Sequence, residues 1–136
     1  MMLRVLLTDP DQALLDSYEA FLSRSGFDVA TAATGPQCLK ALREWSPDVL
    51  VLEPDMPNGW GEQILKEVRE RPETRCIPVL ILSRRDRRAI AYPVQEYHVK
   101  PFSLGQLAHS VRSAAKAWRS PRKSPLEDGD RDDCHA

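Results

Sequence analysis

The sequence predicts an α/β domain in which five parallel strands form a sheet flanked by helices. Short apolar runs alternate along the chain with amphipathic segments of helical period, and this alternation is typical of a parallel sheet covered by helices. The run Val49–Leu52 is apolar at every position, as expected of a strand buried on both faces. Glu53 follows it directly, so an acid is predicted at the carboxyl edge of the sheet, where open α/β folds place their sites.

Length and composition limit the class of protein. The 136 residues, 42% hydrophobic and 29% charged, suit one soluble domain, and we expect no separate output domain. A net charge of −1 gives no bulk attraction to nucleic acid or anionic lipid. No run approaches transmembrane length, and the apolar start is too brief for a signal peptide, so we expect a cytoplasmic protein that does not bind membranes.

The first half of the chain predicts three strand and helix units. Asp9 and Asp11 are predicted to supply capping oxygens for the first helix, and Thr34 with Gln37 forms a capping box for the second. The third helix should stop before Pro72. The predicted strands are Leu3–Thr8, Phe27–Ala32 and Asp48–Leu52, and the third helix is predicted over Gly61–Arg69. Asp28 interrupts the second strand, which we therefore expect at an edge of the sheet.

The second half predicts two more strands and a final helix. The strands are Ile77–Leu82 and Val94–Val99, and a second capping box, Ser103 with Gln106, opens the last helix. Only 16 residues lie between Ser83 and Lys100, too few for a full helix, two loops and a strand. We therefore expect the fourth of five helices to be shortened or absent. Residues 1–118 should fold, and residues 119–136, which are rich in Pro, Ser and acids, should form a disordered tail.

Polar side chains end four of the predicted strands. They are Asp9, Glu53, Ser83 and Lys100, and the carboxyl ends of parallel strands meet at one edge of a sheet. Two acids can hold a hard divalent cation, while a hydroxyl and an ammonium can bind phosphoryl oxygens. Strand ends are also polar simply because they meet solvent, an explanation that is weaker for four residues together than for any one of them.

Several linked motifs resemble the receiver domains of two-component response regulators. The resemblance covers roughly residues 2–118, and its motifs are Leu3–Asp9, Pro47-Asp48, Met56-Pro57 with Gly61, Ile77-Pro78-Val79 leading to Ser83, and Val99-Lys100-Pro101-Phe102. It implies a flavodoxin-like, doubly wound sheet in the order 2-1-3-4-5 and a role in phosphorelay signalling. It also implies roles at three positions. Ser83 matches the hydroxyl of the family's switch, Tyr97 its mobile aromatic residue and Lys100 its phosphate-binding lysine.

The chain departs from the family pattern at two positions. The family has two adjacent acids at the end of the first strand, the second of which binds magnesium, but here Asp9 is followed by Pro10. The family's phosphoacceptor is an aspartate, and Glu53 stands at that position with its carboxylate displaced by about 1.5 Å, one carbon–carbon bond. An in-line displacement is sensitive to an error of that size. We expect no cofactor and at most weak magnesium binding in the remaining acidic pocket of Asp9 and Asp55.

These departures predict a pseudo-receiver, a protein-binding module that is not an enzyme and does not depend on phosphorylation. Glu53 would imitate phosphoaspartate by accepting hydrogen bonds from Lys100 and Ser83. One alternative is a working, magnesium-dependent phosphoacceptor that uses Asp55 or Asp9. The resemblance also implies a homodimer formed through the face of the fourth helix and fifth strand, although that face is altered here.

Four arginines, Arg84, Arg85, Arg87 and Arg88, follow the fourth predicted strand. Such a cluster can be a solvated surface, a site for an acidic protein partner in a signalling pathway, or a contact that neutralises Glu53. The other alternative is an arginine-mediated nucleic-acid binder, which lacks supporting aromatic residues or a recognition helix. The histidines and cysteines show no metal-ligand spacing, and the chain has no glycine-rich phosphate loop.

Overall fold

A computed structural model of the protein describes residues 2–85, 92–100 and 102–119. The five strands are β1 Arg4–Thr8, β2 Asp28–Ala32, β3 Val49–Leu52, β4 Val79–Ser83 and β5 Glu96–Val99. Four α-helices are described: α1 Gln12–Arg24, α2 Gly35–Trp45, α3 Trp60–Glu70 and α4 Leu104–Arg119. The shortened helix predicted between β4 and β5 would fall on residues 86–91, and the predicted tail falls on residues 120–136, so both lie outside the described residues.

The sheet has the order that the sequence predicted. All its strand pairs are parallel, and the strands lie in the order β2-β1-β3-β4-β5, which confirms the doubly wound arrangement and the edge position of β2. Thr8 is paired with Leu52, and Ser83 is paired with Val99. The residues that follow these strands therefore emerge at the same edge of the sheet.

Two apolar layers enclose the sheet. One layer contains Leu15 and Leu22 of α1 with Val111 of α4, and the other contains Leu42 of α2 with Ile64 of α3. Every residue of β3 and β4 is buried, because both strands have a helical layer on each side. Among the described residues, no helix is long and apolar enough to cross a membrane.

The helix starts follow the predicted capping with two differences. Asp11 caps α1 by accepting from the N–H groups of Ala13 and Leu14. Asp9 does not cap the helix, because its Oδ1 accepts from the Asp11 N–H at 2.9 Å. In the box that opens α2, Thr34 Oγ1 accepts from the Gln37 N–H at 3.2 Å, but the Gln37 side chain bonds the N–H of Ala33, one residue earlier than a capping box requires.

Arg69, near the end of α3, holds the beginnings of β4 and β5 together. Its guanidinium donates to the carbonyl oxygens of Arg75, Ile77 and Pro93 at 2.6–3.0 Å. Burial lowers the pKa of this guanidinium to about 10. The last strand was predicted to start at Val94 but starts at Glu96. Just before it, the Gln95 N–H donates to the Val79 carbonyl at 2.8 Å, and the Gln95 side chain accepts from the Val79 N–H.

Candidate functional site

Three of the predicted site residues meet at the carboxyl edge of the sheet. Backbone hydrogen bonds fix two of them, from the Glu53 N–H to the Thr8 carbonyl at 2.9 Å and from the Lys100 N–H to the Ser83 carbonyl at 2.7 Å. The Lys100 ammonium donates to Asp9 Oδ2 at 2.6 Å and to Glu53 Oε1 at 2.9 Å. Their side chains are nearly enclosed, with exposed fractions of 12% for Lys100, 6% for Asp9 and 0% for Glu53. We call Asp9, Glu53 and Lys100 the buried triad.

The second oxygen of each carboxylate in the buried triad is also bonded. Asp9 Oδ1 accepts from the Asp11 N–H, and Glu53 Oε2 accepts from the Asp55 N–H, each at 2.9 Å. Each acid thus bonds a backbone amide two residues ahead with one oxygen and the lysine with the other. Such charge-assisted hydrogen bonds are shorter and stronger than neutral ones. The carboxylate of Glu53 is therefore fixed in place on both of its oxygens.

Asp55 lies at the mouth of the site and has a different partner. Its Oδ2 is 3.0 Å from Nε of Arg85, and the exposed side-chain fractions are 23% for Asp55 and 70% for Arg85. We call these two residues the exposed pair. The sequence raised the possibility that the arginines neutralise Glu53, but the contact that Arg85 makes is with Asp55. Glu53 is buried and already bonded to Lys100, so it is not accessible to a surface arginine.

The predicted switch residues lie beside the buried triad. Ser83, at the end of β4, is fully buried, and its Oγ accepts from the Arg85 N–H at 3.0 Å. Glu53 was expected to accept hydrogen bonds from Lys100 and from Ser83. Among the described residues, the bond from Lys100 is present and a direct bond between Ser83 and Glu53 is not. Tyr97 of β5 is partly buried against the layer that contains α2 and α3.

Of the other three arginines in the predicted cluster, the structure describes one. Arg84 is exposed and follows β4 directly. Arg87 and Arg88 lie outside the described residues. Within the described part of the chain, the basic surface at this position therefore consists of Arg84 and Arg85.

Two close backbone approaches shape the loops around the site. A Cβ on Gly61 would lie 1.9 Å from the carbonyl oxygen of Pro54, and a Cβ on Gly35 would lie 2.1 Å from the Trp60 ring. Gly61 therefore allows α3 to begin directly against the loop that follows Glu53. The packing of Trp60 on Gly35 joins the starts of α2 and α3, and sequence reasoning missed this contact, because neither residue shows a pattern that points to the other.

The donor set does not fit a magnesium ion well. Pro10 offers no carboxylate at the position where the family has its second acid, and the Lys100 ammonium lies within hydrogen-bond distance of both Asp9 and Glu53. Magnesium prefers octahedral oxygen coordination, whereas the Lys100 ammonium already occupies one oxygen of each of the two acids nearest the sheet edge. The described residues include no group of three His, Cys, Asp or Glu side chains arranged to hold a metal ion.

A doubly wound sheet that gathers an acid, a hydroxyl and a lysine at its carboxyl edge defines the class of this protein. Residues 5–112 match the response regulator receiver domain, and the chain belongs to this family. It is a receiver domain of the two-component response regulator type.

Curated relatives extend the comparison. The chain is 36% identical over 129 residues to the transcriptional regulatory protein PrrA of Mycobacterium tuberculosis, a match that covers 91% of this chain and 54% of PrrA. It is 30% identical over 118 residues to the phosphate regulon transcriptional regulatory protein PhoB of Rhizobium meliloti, covering 83% of this chain and 52% of PhoB. The chain thus spans about half the length of these relatives.

Solved structures agree on the fold. The chemotaxis response regulator CheY4 of Vibrio cholerae superposes with a TM-score of 0.75 at 24% identity, covering 84% of this chain and 99% of CheY4. A CheY-like receiver domain of Methanospirillum hungatei superposes with a TM-score of 0.78 at 20% identity, covering 86% and 96% of the two chains. At these identities the similarity establishes the fold alone.

Proposed function

We propose that this receiver domain is a pseudo-receiver, a protein-binding module of a two-component signalling pathway whose state does not depend on phosphorylation. The observation that supports the proposal most directly is the buried triad, in which one lysine holds Asp9 at 2.6 Å and Glu53 at 2.9 Å. In this role the domain is not an enzyme, and its partner is a protein.

Glu53 is poorly placed to attack a phosphodonor. A carboxylate nucleophile must present a free oxygen to the incoming phosphorus in line with the leaving group, and misplacement by about 1 Å can cost a factor of about 100 in rate. Both oxygens of Glu53 accept hydrogen bonds, and the residue is 1% exposed. The absence of a second acid at Pro10 also removes a ligand for the cation that would neutralise the donor.

The alternative acceptors are limited in other ways. Asp9 is buried and is bonded to Lys100 and to the Asp11 amide. Asp55 is more accessible, but Arg85 lies against its carboxylate. A phosphoryl group on Asp55 would have to displace this arginine or be held by it, and Asp55 is therefore the rival acceptor that an experiment should test first.

Phosphorylation can be tested with a small-molecule phosphodonor and Mg²⁺, with intact mass as the readout. We expect the wild-type chain to gain no phosphoryl group. The double variant Pro10→Asp/Glu53→Asp restores both acids of the family pattern and is the matched control, for which we expect the gain of one phosphoryl group. A one-phosphoryl gain in the wild type that disappears in Asp55→Asn or Asp9→Asn would overturn the proposal.

The effect of Glu53 on the state of the domain needs a second measurement. We expect Glu53→Gln, which keeps the size of the side chain and removes its charge, to weaken the bond from Lys100 and to speed amide hydrogen exchange at residues 98–100. Capture of a signalling partner should change with it. If Glu53→Gln and Glu53→Asp leave both exchange and partner capture as in the wild type, Glu53 does not set the state.

A further inference from the structure

We propose that Arg85 is an ionic latch on the loop after β4, and that an acidic segment of a protein partner opens it by replacing Asp55. The proposal rests on the proposed function, because it assumes that the domain is switched by binding and not by a phosphoryl group. Two contacts carry it. The backbone N–H of Arg85 donates to Ser83 Oγ at 3.0 Å, and the side-chain Nε of Arg85 lies 3.0 Å from Asp55 Oδ2.

These contacts join two loops of the site through a single residue. Asp55 belongs to the loop after β3, and Ser83 ends β4. The main chain of Arg85 fixes the Ser83 hydroxyl, while its side chain reaches across to the loop after β3. Release of the side chain from Asp55 would therefore remove an ion pair that connects these two loops.

In the exposed pair, a carboxylate from another molecule can replace Asp55, whereas the acids of the buried triad are enclosed and cannot be replaced from outside. The Arg85 side chain is 70% exposed, compared with 12% for Lys100. Exposed ion pairs contribute little to stability, because water and salt screen them and ordering long side chains costs entropy. Separating Arg85 from Asp55 therefore costs little free energy, and a partner segment that makes additional contacts of its own can replace Asp55.

The charges around the latch favour an acidic protein segment as the occupant. Asp55 itself shows that a carboxylate fits against Arg85, and Arg84 is exposed beside it with no ion pair among the described contacts. The partner of Arg85 in the structure is a carboxylate, so an acidic protein segment is the occupant whose chemistry matches the observed contact.

The binding test uses a fluorescein-labelled glutamate-rich peptide and the full chain, with fluorescence anisotropy as the readout. Asp55→Asn removes the internal competitor, and we expect it to tighten peptide binding by about 2- to 5-fold, the range set by an exposed pair. Arg85→Gln should weaken binding, and the double variant should bind like Arg85→Gln alone. Matched controls for net charge are Asp16→Asn and Arg43→Gln, which change exposed residues of α1 and α2.

Several results would overturn the latch. The first is that Asp55→Asn binds the peptide no more tightly than Asp16→Asn does. The second is that Arg85→Gln weakens binding no more than Arg43→Gln does. If a single-stranded oligonucleotide binds more tightly than the peptide and depends on Arg85 in the same way, the occupant is nucleic acid and the proposed partner is wrong.

Hydrogen exchange tests the loop connection independently of any ligand. We expect Asp55→Asn and Arg85→Gln each to speed amide exchange around residues 83–85, and the double variant to add nothing further, since either substitution breaks the same contact. Additive effects would contradict a single latch. The two proposals fail in different experiments. A phosphoryl gain in the wild type would contradict the proposed function, whereas the peptide-binding and exchange results bear on the latch alone.

Discussion

The buried triad and the exposed pair are two ionic contacts of the same site, yet their surroundings differ sharply. Lys100 lies between two enclosed carboxylates, each of which also accepts a backbone N–H. Arg85 contacts one partly exposed carboxylate from a side chain that is 70% exposed. The difference indicates a division of roles, in which the buried triad fixes the centre of the site and the exposed pair controls its mouth.

Solvent is the physical origin of this difference. A buried charge that loses its partner keeps its desolvation cost, so removing one member of a buried ion pair is strongly destabilising. An exposed charge that loses its partner is hydrated instead, and the net change is small. The same chemical contact, an ammonium or guanidinium on a carboxylate, can therefore be a structural element at one position and an exchangeable contact at another.

The largest effect that separates the two contacts should come from Lys100→Met. This variant keeps most of the length of the side chain but leaves Asp9 and Glu53 as uncompensated buried acids. We expect the free energy of unfolding to fall by about 3–5 kcal/mol, measured by urea denaturation.

The matched variant for this experiment is Arg85→Gln in the exposed pair. We expect it to lower the free energy of unfolding by less than about 1 kcal/mol. Equal losses for Lys100→Met and Arg85→Gln would show that burial does not divide the site in the way described here.

Glu53→Asp should have an intermediate effect. Shortening the side chain by about 1.5 Å lengthens or breaks the bond from Lys100 but leaves a carboxylate nearby, so we expect a loss of about 1.5–3 kcal/mol, the range for hydrogen bonds to charged groups. Urea denaturation is again the measurement. The control is Glu62→Asp, the same substitution at an exposed position in the first turn of α3. If Glu62→Asp costs as much, the loss reflects helix propensity or side-chain length and not the buried triad.

Much of the framework could be predicted from local sequence. The apolar run Val49–Leu52 identified a central strand, and Asp11 was correctly predicted to cap α1. The meeting of Asp9, Glu53 and Lys100 followed from strand ends in a parallel sheet. Each of these inferences depends on chain neighbours or on the regular geometry of the sheet, which are encoded over a few residues.

Contacts made by long side chains could not be predicted in the same way. Arg85 could have reached either Glu53 or Asp55, and only the depth of Glu53 below the surface decides between them. The role of Arg69 likewise depends on three carbonyl groups that become neighbours only after β4 and β5 have packed. Such contacts are set by tertiary placement, and residue type alone carries little information about them.

The smallest expected effect is a change in the pKa of Tyr18, which responds to the charge of Asp9 in the buried triad. Burial raises the pKa of the Tyr18 phenol, and the negative charges of Asp9 and then Asp11 raise it further. Asp9→Asn removes one of these charges and favours the phenolate, so we expect the Tyr18 pKa to fall relative to the wild type. Asp55→Asn should leave it unchanged, because the charge of Asp55 does not contribute to the shift. The measurement is titration of tyrosinate absorbance, with Tyr18→Phe identifying the signal among the three tyrosines. An equal fall in both variants would mean that the two acids act on Tyr18 alike, and the electrostatic separation of the buried triad from the exposed pair would not hold.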